Sequence, residues 1–156
     1  MSNLVFVFGT LKEGFPNFAT NKGVRVGGSF ITVERYPLYL VGERFSPWLI
    51  HAAGEGERVV GQVFKVDQVT LKAMDVLERI TEPDGYRRVA IDVEALEDAS
   101  KARLSVYTYV KDQELFRRSD AQLGPRREYA HVLAASESKQ STAAAVWQPS
   151  VNSAGA

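Results

Sequence analysis

The first apolar segment of the chain is short, begins near the N-terminus and has the character of a buried strand. Leu4-Val5-Phe6-Val7-Phe8 combines β-branched and aromatic residues and stops abruptly at Gly9-Thr10. A strand that ends in this way leaves backbone N–H groups unpaired, and such groups can hold a carboxylate or a developing oxyanion. Gly9 also lacks the Cβ that would keep a ligand away from the backbone.

Several later segments also have the pattern of strands. Extended structure is predicted over 24–41, where Pro37 restricts the chain to a sheet edge or a bend. The clearest strand covers 59–66, and two more cover 86–93 and 103–110. Gly, Pro and Asn are frequent over 12–23, which predicts a loop with at most one helical turn.

One strong helix is predicted between these strands. Asp67 is a suitable N-cap, and the turn residues 82–85 end the segment. We expect the apolar face to consist of residues spaced three and four apart, namely Val69, Ala73, Val76, Leu77 and Ile80. Five or more strands with one principal helix indicate an α+β domain, built on a curved mixed sheet or small barrel.

The C-terminal part of the chain has weaker signals. Residues 126–137 are expected to form a short helix, and residues 1–137 to form one domain. From 138 to 156 Ala and Ser dominate, so we expect a disordered or loosely attached tail. Trp147 is an exception there, and docking on the body or having no partner are equally compatible with the sequence.

Composition narrows the possible functions. The 156 residues are 45% hydrophobic and 24% charged, which suits one soluble domain with a real core. Lys plus Arg and Asp plus Glu number 19 each, so no net charge attracts nucleic acid or an acidic membrane. The absence of cysteine excludes disulfides and thiol nucleophiles. No apolar stretch of membrane-spanning length and no signal peptide are seen, so a cytoplasmic protein is expected.

Carboxylates are the candidate acid–base groups. His51 and His131 lie far apart in sequence, and each is interpreted as a surface or hydrogen-bonded residue rather than a metal ligand. Asp75 and Glu78 lie three residues apart on the predicted helix and can share a face. Glu78 borders the apolar stripe, where partial desolvation would raise its pKa and make it a better base. The alternative is that Glu78 forms surface ion pairs with Arg79, Arg87 or Arg88.

A second carboxylate is a weaker candidate. Glu82 precedes Pro83 in the turn after the helix, where turn formation explains it more simply than catalysis does.

Several blocks of the chain resemble the γ-glutamyl cyclotransferase-like (AIG2-like) family, and in particular its γ-glutamylamine cyclotransferase branch. The resemblance covers residues 4–110, in the family's order and with similar spacing. The matching blocks are Val5–Lys12, Gly14–Asn17, Tyr36–Leu38, Gly42-Glu43, Pro47–His51, Val60–Asp67, Met74–Glu78 and Tyr86–Arg88. Three departures stand out: Phe8 replaces the family's usual tyrosine, Gln62 stands where glutamate is common, and two extra residues lie between Glu78 and Tyr86.

The resemblance implies a γ-glutamyl cyclotransferase-like fold and an enzyme that acts on a small γ-glutamyl substrate. By this likeness Glu78 is the catalytic residue, and the substrate is bound by Phe8, Gly9, Thr10, Leu11 and Tyr86. The family needs no metal and no cofactor. A monomer without nucleic-acid or membrane partners is expected. The alternative is a binding module that holds a similar ligand without turnover.

The implied reaction is intramolecular. The α-amine of the substrate attacks its own γ-amide carbonyl, which gives 5-oxoproline and a free amine or amino acid. In this mechanism Glu78 takes a proton from the α-ammonium and returns one to the departing nitrogen.

Overall fold

The structure, a computed structural model, describes residues 3–119 and 121–129. These residues form a closed β-barrel, a three-stranded sheet beside it and one principal helix. The strands are β1 (Asn3–Val7), β2 (Val24–Thr32), β3 (Leu38–Val41), β4 (Ser46–Leu49), β5 (Val60–Val66), β6 (Arg87–Ala95), β7 (Arg103–Val110) and β8 (Ala121–Leu123). The α-helices are α1 (Gln68–Leu77) and α2 (Gln113–Arg117), and a short 3-10 helix covers Phe18–Thr20.

The barrel has the strand order β1-β5-β2-β6-β7. Four of its neighbouring pairs are antiparallel, and β7 returns to β1 in the parallel direction, which closes the sheet. The second sheet has the order β4-β3-β8. A mixed barrel with one main helix packed on it confirms the expected α+β architecture.

From Val5 to Val7 the opening strand is apolar, and both of its faces are buried there. Phe6 belongs to the hydrophobic cluster that lines the barrel and continues to the small sheet. Val5 and Val7 belong to a second cluster, which includes Leu71 and Met74 of α1. The strand therefore ends between the barrel core and the helix, and this places Gly9-Thr10 next to both.

The expected apolar face of the helix was wrong at Val69, Ala73 and Val76, whereas Leu77 and Ile80 are partly buried and pack against the second cluster. The helix begins after Asp67, whose Oδ1 accepts a hydrogen bond from the Thr70 N–H at 2.8 Å, but it ends at Leu77. Val69 and Val76 are 79% and 72% exposed. The buried side chains are Thr70, Leu71 and Met74. The helix carries two apolar stripes, and the one with the longer side chains packs on the barrel because it removes more apolar surface from water.

The expected helix over 126–137 was also wrong where it can be compared. Residues 126–129 are not helical. The Arg126 N–H donates to the Leu38 carbonyl, and the Val60 N–H donates to the Arg127 carbonyl, so the chain runs extended along existing strands. The remainder of that segment, the expected tail over 138–156 and Trp147 lie outside the described residues. The sequence analysis did not predict the short helix α2 or the short strand β8.

Candidate active site

Glu78 is the buried acid of the structure's candidate site. It follows the last residue of α1, and its N–H donates to the Met74 carbonyl at 2.9 Å. Its own carbonyl accepts from the Tyr86 N–H at 2.9 Å, which ties the end of the helix to the start of β6. Glu78 is 3% exposed, and within the described part of the chain its Oε2 atom has no hydrogen-bond partner.

The alternative of surface ion pairs for Glu78 does not hold. Arg79 Nη2 pairs with Asp84 Oδ1 at 3.1 Å, and Arg88 Nη1 pairs with Asp75 Oδ2 at 2.6 Å. Glu78 follows Leu71 by seven positions and Met74 by four, so it lies on the buried face of α1. Its direction is therefore set by the packing of the helix.

Burial controls the acidity of this carboxyl group. Desolvation raises the pKa of Glu78 to about 8, and the charge of Lys111 opposes part of that rise. A carboxyl group with a pKa near neutral pH can both accept and return a proton under physiological conditions. A buried carboxyl group with an unsatisfied oxygen costs stability, and such groups are typical of functional sites.

The loop after β1 has an unusual hydrogen-bond pattern. The carbonyl groups of Gly9, Thr10 and Leu11 are all occupied, by the Lys12 N–H, the Asn17 N–H and the Asn21 Nδ2 respectively. The N–H groups of Gly9, Thr10 and Leu11 donate no hydrogen bond to any of the described residues. The loop is thus fixed through its acceptors, and its donors remain available for an anionic or carbonyl oxygen.

This loop and Glu78 line the same small cavity. Its walls also include Phe6, Val7 and Tyr109. The enclosed space is about 20 Å³, which is room for about one water molecule. The structure therefore brings together five of the six predicted site residues, namely Phe8, Gly9, Thr10, Leu11 and Glu78.

Larger hollows lie elsewhere, but they lack a comparable group. One of about 520 Å³ is lined by Glu57 and residues 124–128, and another of about 580 Å³ lies beside the outer face of α1. Neither is lined by a fully buried ionisable side chain. The chemistry of the lining, rather than the volume, identifies the cavity at Glu78 as the candidate site.

Position 9 has to be glycine because the Pro47 ring leaves no room for a Cβ there. A Cβ added at Gly9 would lie 2.8 Å from Cγ of Pro47, which is too close for two carbon atoms. The sequence argument gave ligand approach as the reason for glycine here, whereas the structure shows that β4 packs against this position. Phe8 is 6% exposed and belongs to the barrel cluster, so its ring packs in the core.

Tyr86 lies apart from the walls of this cavity. It is 2% exposed, and its hydroxyl group donates to the Pro47 carbonyl at 2.8 Å. Burial raises the pKa of the Tyr86 hydroxyl well above its usual value, so it remains a donor. The described contacts place Tyr86 as a support for the Pro47 segment, and its predicted contact with substrate stays a prediction.

Sequence reasoning missed the network that anchors α1 beside the cavity. The Tyr109 hydroxyl donates to Asp75 Oδ1 at 2.7 Å, while Arg88 pairs with the other carboxylate oxygen. Burial and this hydrogen bond raise the pKa of Tyr109. The network fixes one turn of the helix directly before Glu78. Since Tyr109 and Asp75 lie 34 positions apart in sequence, no local pattern links them.

Lys111 is the second functional candidate that the sequence did not reveal. It follows the apolar end of β7, is 5% exposed and lies close enough to Glu78 to affect the acidity of that carboxyl group. A buried lysine directly after a buried strand is a signal that could have been noticed.

Two further findings concern metal binding and membrane-spanning helices. The described residues contain no group of three or more His, Cys, Asp or Glu side chains placed to bind a metal ion. None of the helices in the described ranges is both long and apolar enough to cross a bilayer.

Comparison with known proteins gives a consistent assignment. Residues 5–137 match the family described as gamma-glutamyl cyclotransferase, AIG2-like. γ-Glutamylaminecyclotransferase B of Danio rerio is 38% identical over 116 residues, which is 69% of this chain and 60% of that protein. γ-Glutamylaminecyclotransferase of Homo sapiens is 40% identical over 100 residues, which is 61% of this chain and 64% of that protein.

Structural comparison agrees with the sequence match. The crystal structure of an AIG2-like protein from Mus musculus superposes with a TM-score of 0.67 at 29% identity, covering 83% of this chain and 88% of that one. The matched region spans less than two thirds of the length of the first two curated relatives named above. On the family match over most of its residues, the chain belongs to the gamma-glutamyl cyclotransferase, AIG2-like family.

Proposed function

We propose that this protein is a γ-glutamyl cyclotransferase that releases 5-oxoproline and a free amine from a γ-glutamyl compound. The observation that carries the proposal is the buried carboxyl group of Glu78, whose Oε2 has no hydrogen-bond partner among the described residues, in a cavity that is also lined by Gly9, Thr10 and Leu11, whose N–H groups donate to none of those residues. Such a pair offers a proton acceptor and an oxyanion or carboxylate site within one small volume.

The reaction needs little from the protein beyond orientation and proton transfer. The α-amine of the substrate forms a bond to the γ-carbonyl carbon, and the bond from that carbon to the departing nitrogen breaks. Both reacting groups belong to one molecule, so holding the substrate folded removes much of the entropic cost of ring closure. The N–H groups of Gly9, Thr10 and Leu11 are proposed to bind either the substrate carboxylate or the developing oxyanion.

Glu78 is proposed to handle the proton. A free amine is required for attack, and an α-ammonium group has a pKa of about 7.7–8.0. Since burial raises the pKa of Glu78 to about 8, the two groups are closely matched and the proton passes between them with little free-energy change. That proton is then delivered to the departing nitrogen, which leaves as a free amine. The ring nitrogen still has to lose one proton after attack; Glu78 accepts it as the C–N bond breaks and passes it to the released amine, so the carboxylate is restored for the next cycle.

The cavity must widen for a substrate to bind. Its volume of about 20 Å³ fits a water molecule rather than a γ-glutamyl group. The leaving group is proposed to be an amine rather than an amino acid, on the similarity to proteins named γ-glutamylaminecyclotransferase.

The test is turnover of a panel of γ-glutamyl compounds, followed by mass spectrometry of 5-oxoproline. The panel contains γ-glutamyl-ε-lysine, γ-glutamyl-alanine, glutathione and a γ-glutamyl anilide. Glu78→Gln should lower the rate roughly 10²–10⁴-fold, because general acid–base help is lost. Glu82→Gln is the matched control. Glu82 is exposed in the turn after α1, so this variant should convert substrate at the wild-type rate.

Two outcomes would contradict the proposal. Undiminished turnover by the Glu78 variant would remove that residue from the reaction. A γ-glutamyl compound that binds tightly but is recovered unchanged after long incubation would instead indicate a binding protein on the same scaffold.

The remaining expectations about the whole protein are also proposals. We propose a monomer, which sedimentation equilibrium would test, and a cytoplasmic location. The balanced charge of 19 basic and 19 acidic residues supports the expectation that nucleic acid is not a partner.

A further inference from the structure

Lys111 is a buried lysine that has no role in the proposed reaction as described above. Its backbone is fixed on both sides, because its N–H donates to the Leu49 carbonyl and its carbonyl accepts from the His51 N–H. The side chain is thereby directed from the end of β7 into the space between β4 and the segment after α1. Lys111 is 5% exposed, a rare environment for a lysine.

The ammonium group is held by aromatic faces and a single carbonyl. Nζ lies 4.5 Å from the ring centroid of Trp48 and 4.3 Å from that of Tyr86. It donates to the Asp84 carbonyl at 2.7 Å. Cation–π contacts of this kind stabilise a charge but leave its remaining N–H groups unsatisfied.

This arrangement links Lys111 to Glu78 through one short segment. Asp84 and Tyr86 both contact the ammonium group, and the Tyr86 N–H is hydrogen-bonded to the Glu78 carbonyl. The contacts of the described residues contain no direct ion pair between the two side chains. A buried ammonium group and a buried carboxyl group are therefore linked through residues 84–86 without a direct ion pair among the described residues.

Other charged and titratable groups surround the pair. Tyr86, directly before β6, and Tyr109 of β7 lie near Glu78, and both remain neutral because burial raises the pKa of each hydroxyl. Asp84 and Arg79 act on Lys111 with opposite signs, and they pair with each other at 3.1 Å. Their effects on the pKa of Lys111 therefore oppose each other. The charge of Lys111 in turn lowers the pKa of Glu78 and opposes the effect of burial.

We propose that Lys111 is a positioning residue of the active site, whose buried ammonium group, next to the segment that carries Tyr86, favours the ionised form of Glu78 and so increases the fraction of protein that can accept the substrate's proton. The ammonium group acts on Glu78 through space and makes no contact with the substrate. This inference rests on the proposed function for its catalytic meaning, whereas the coupling between the two side chains is a property of the free protein.

The direction of the effect follows from the charges. Burial disfavours the ionised form of Glu78, and a nearby positive charge favours it. Loss of the ammonium charge therefore raises the pKa of Glu78, so less of the enzyme carries the base at neutral pH. Burial also lowers the pKa of Lys111 to about 8, which means that the two groups titrate in the same range and as a coupled pair.

The first test is a titration of the substrate-free protein by NMR, which does not depend on the reaction. The carboxyl carbon of Glu78 and the ε-carbon of Lys111 are followed from pH 5 to pH 10. In the wild-type protein both resonances should change over a shared range. In Lys111→Met the Glu78 midpoint should rise by about one unit, and in Lys111→Arg it should stay close to that of the wild type.

The second test is the pH profile of turnover. The acid limb of kcat/KM should move upward by the same amount in Lys111→Met, should be unmoved in Lys111→Arg, and should be unmoved in the exposed control Lys65→Met. A lower rate in Lys111→Met with an unchanged profile would overturn the proposal, because a purely structural role predicts that result.

Further outcomes separate this inference from the proposed function. If no γ-glutamyl compound is turned over, the proposed function fails, while the titration still decides whether Lys111 controls Glu78. If Lys111→Met does not fold, the wild-type titration decides, and independent midpoints for the two groups would overturn the coupling.

Discussion

Asn17 holds Thr10 at two points. The Asn17 N–H donates to the Thr10 carbonyl at 2.8 Å, and the Asn17 side-chain Nδ2 donates to Thr10 Oγ1 at the same distance. Both residues are buried, so water cannot replace these bonds readily. The pair fixes the backbone of a loop whose residues Gly9, Thr10 and Leu11 line the cavity, and it gives that loop the rigidity that an oxyanion site requires.

Asn17→Ala should therefore weaken catalysis by loosening the loop. It leaves Thr10 Oγ1 buried without its donor, at a cost of about 1–3 kcal/mol in the free energy of unfolding. We expect kcat/KM to fall about tenfold, measured with the best substrate of the γ-glutamyl panel. Asn3→Ala is the control, since Asn3 makes an exposed side-chain bond to Gln68 and should change neither quantity.

Gly9→Ala should damage the site through Pro47. The added Cβ would lie 2.8 Å from Pro47 Cγ, so either β4 or the loop must move. Overpacking of this kind typically costs about 1–3 kcal/mol, which urea denaturation would detect, and turnover should fall with it. Gly28→Ala is the matched control, because its Cβ meets only the end of the Glu97 side chain at 3.4 Å. Equal activity of the two variants would contradict the role given to Gly9.

Tyr86→Phe distinguishes a supporting residue from a substrate contact. The variant removes the hydrogen bond to the Pro47 carbonyl, and we expect a loss of about 1–2 kcal/mol in unfolding free energy with a small change in KM. The measurement is chemical denaturation together with steady-state kinetics. A large rise in KM without loss of stability would instead show that the hydroxyl group binds substrate.

Glu78→Gln should stabilise the protein in a pH-dependent manner. The folded-state pKa of Glu78 is raised from 4.5 to about 8, so its contribution to wild-type stability is present below pH 4.5 and is lost as the pH rises through 8. Glutamine does not ionise, so the variant does not lose stability from burying a charge as the pH rises. The variant's advantage should therefore be small at pH 5 and should reach about 3–5 kcal/mol near pH 8 by urea denaturation. An advantage that does not change with pH would contradict the assigned burial of an ionisable group.

The corrected helix face can be tested with two alanine substitutions. Met74 is fully buried against the barrel, and Met74→Ala should cost about 2–5 kcal/mol. Val76 is 72% exposed, and Val76→Ala should change the unfolding free energy by less than about 0.5 kcal/mol. Thermal denaturation of both variants measures the contrast. Similar losses in the two would restore the face first expected from the sequence.

Local signals predicted much of the architecture. The β1 segment, its stop at Gly9-Thr10 and the N-cap at Asp67 each depend on neighbouring residues, so composition and spacing were sufficient to find them. The bounds of α1 and the face that it buries were less well predicted. Burial of a helix face depends on the surface it meets, and that surface comes from strands far away in sequence.

The same division applies to the site. The sequence by itself determined that a carboxylate at Glu78 and a Gly-Thr strand end were the candidate chemistry, because residue types and family motifs are local properties. Only the tertiary structure decided that Glu78 is buried, that Pro47 fills the space beside Gly9 and that Lys111 lies near the acid. Desolvation and charge proximity arise from packing between distant segments, and these are the quantities that set the acidity of a catalytic group.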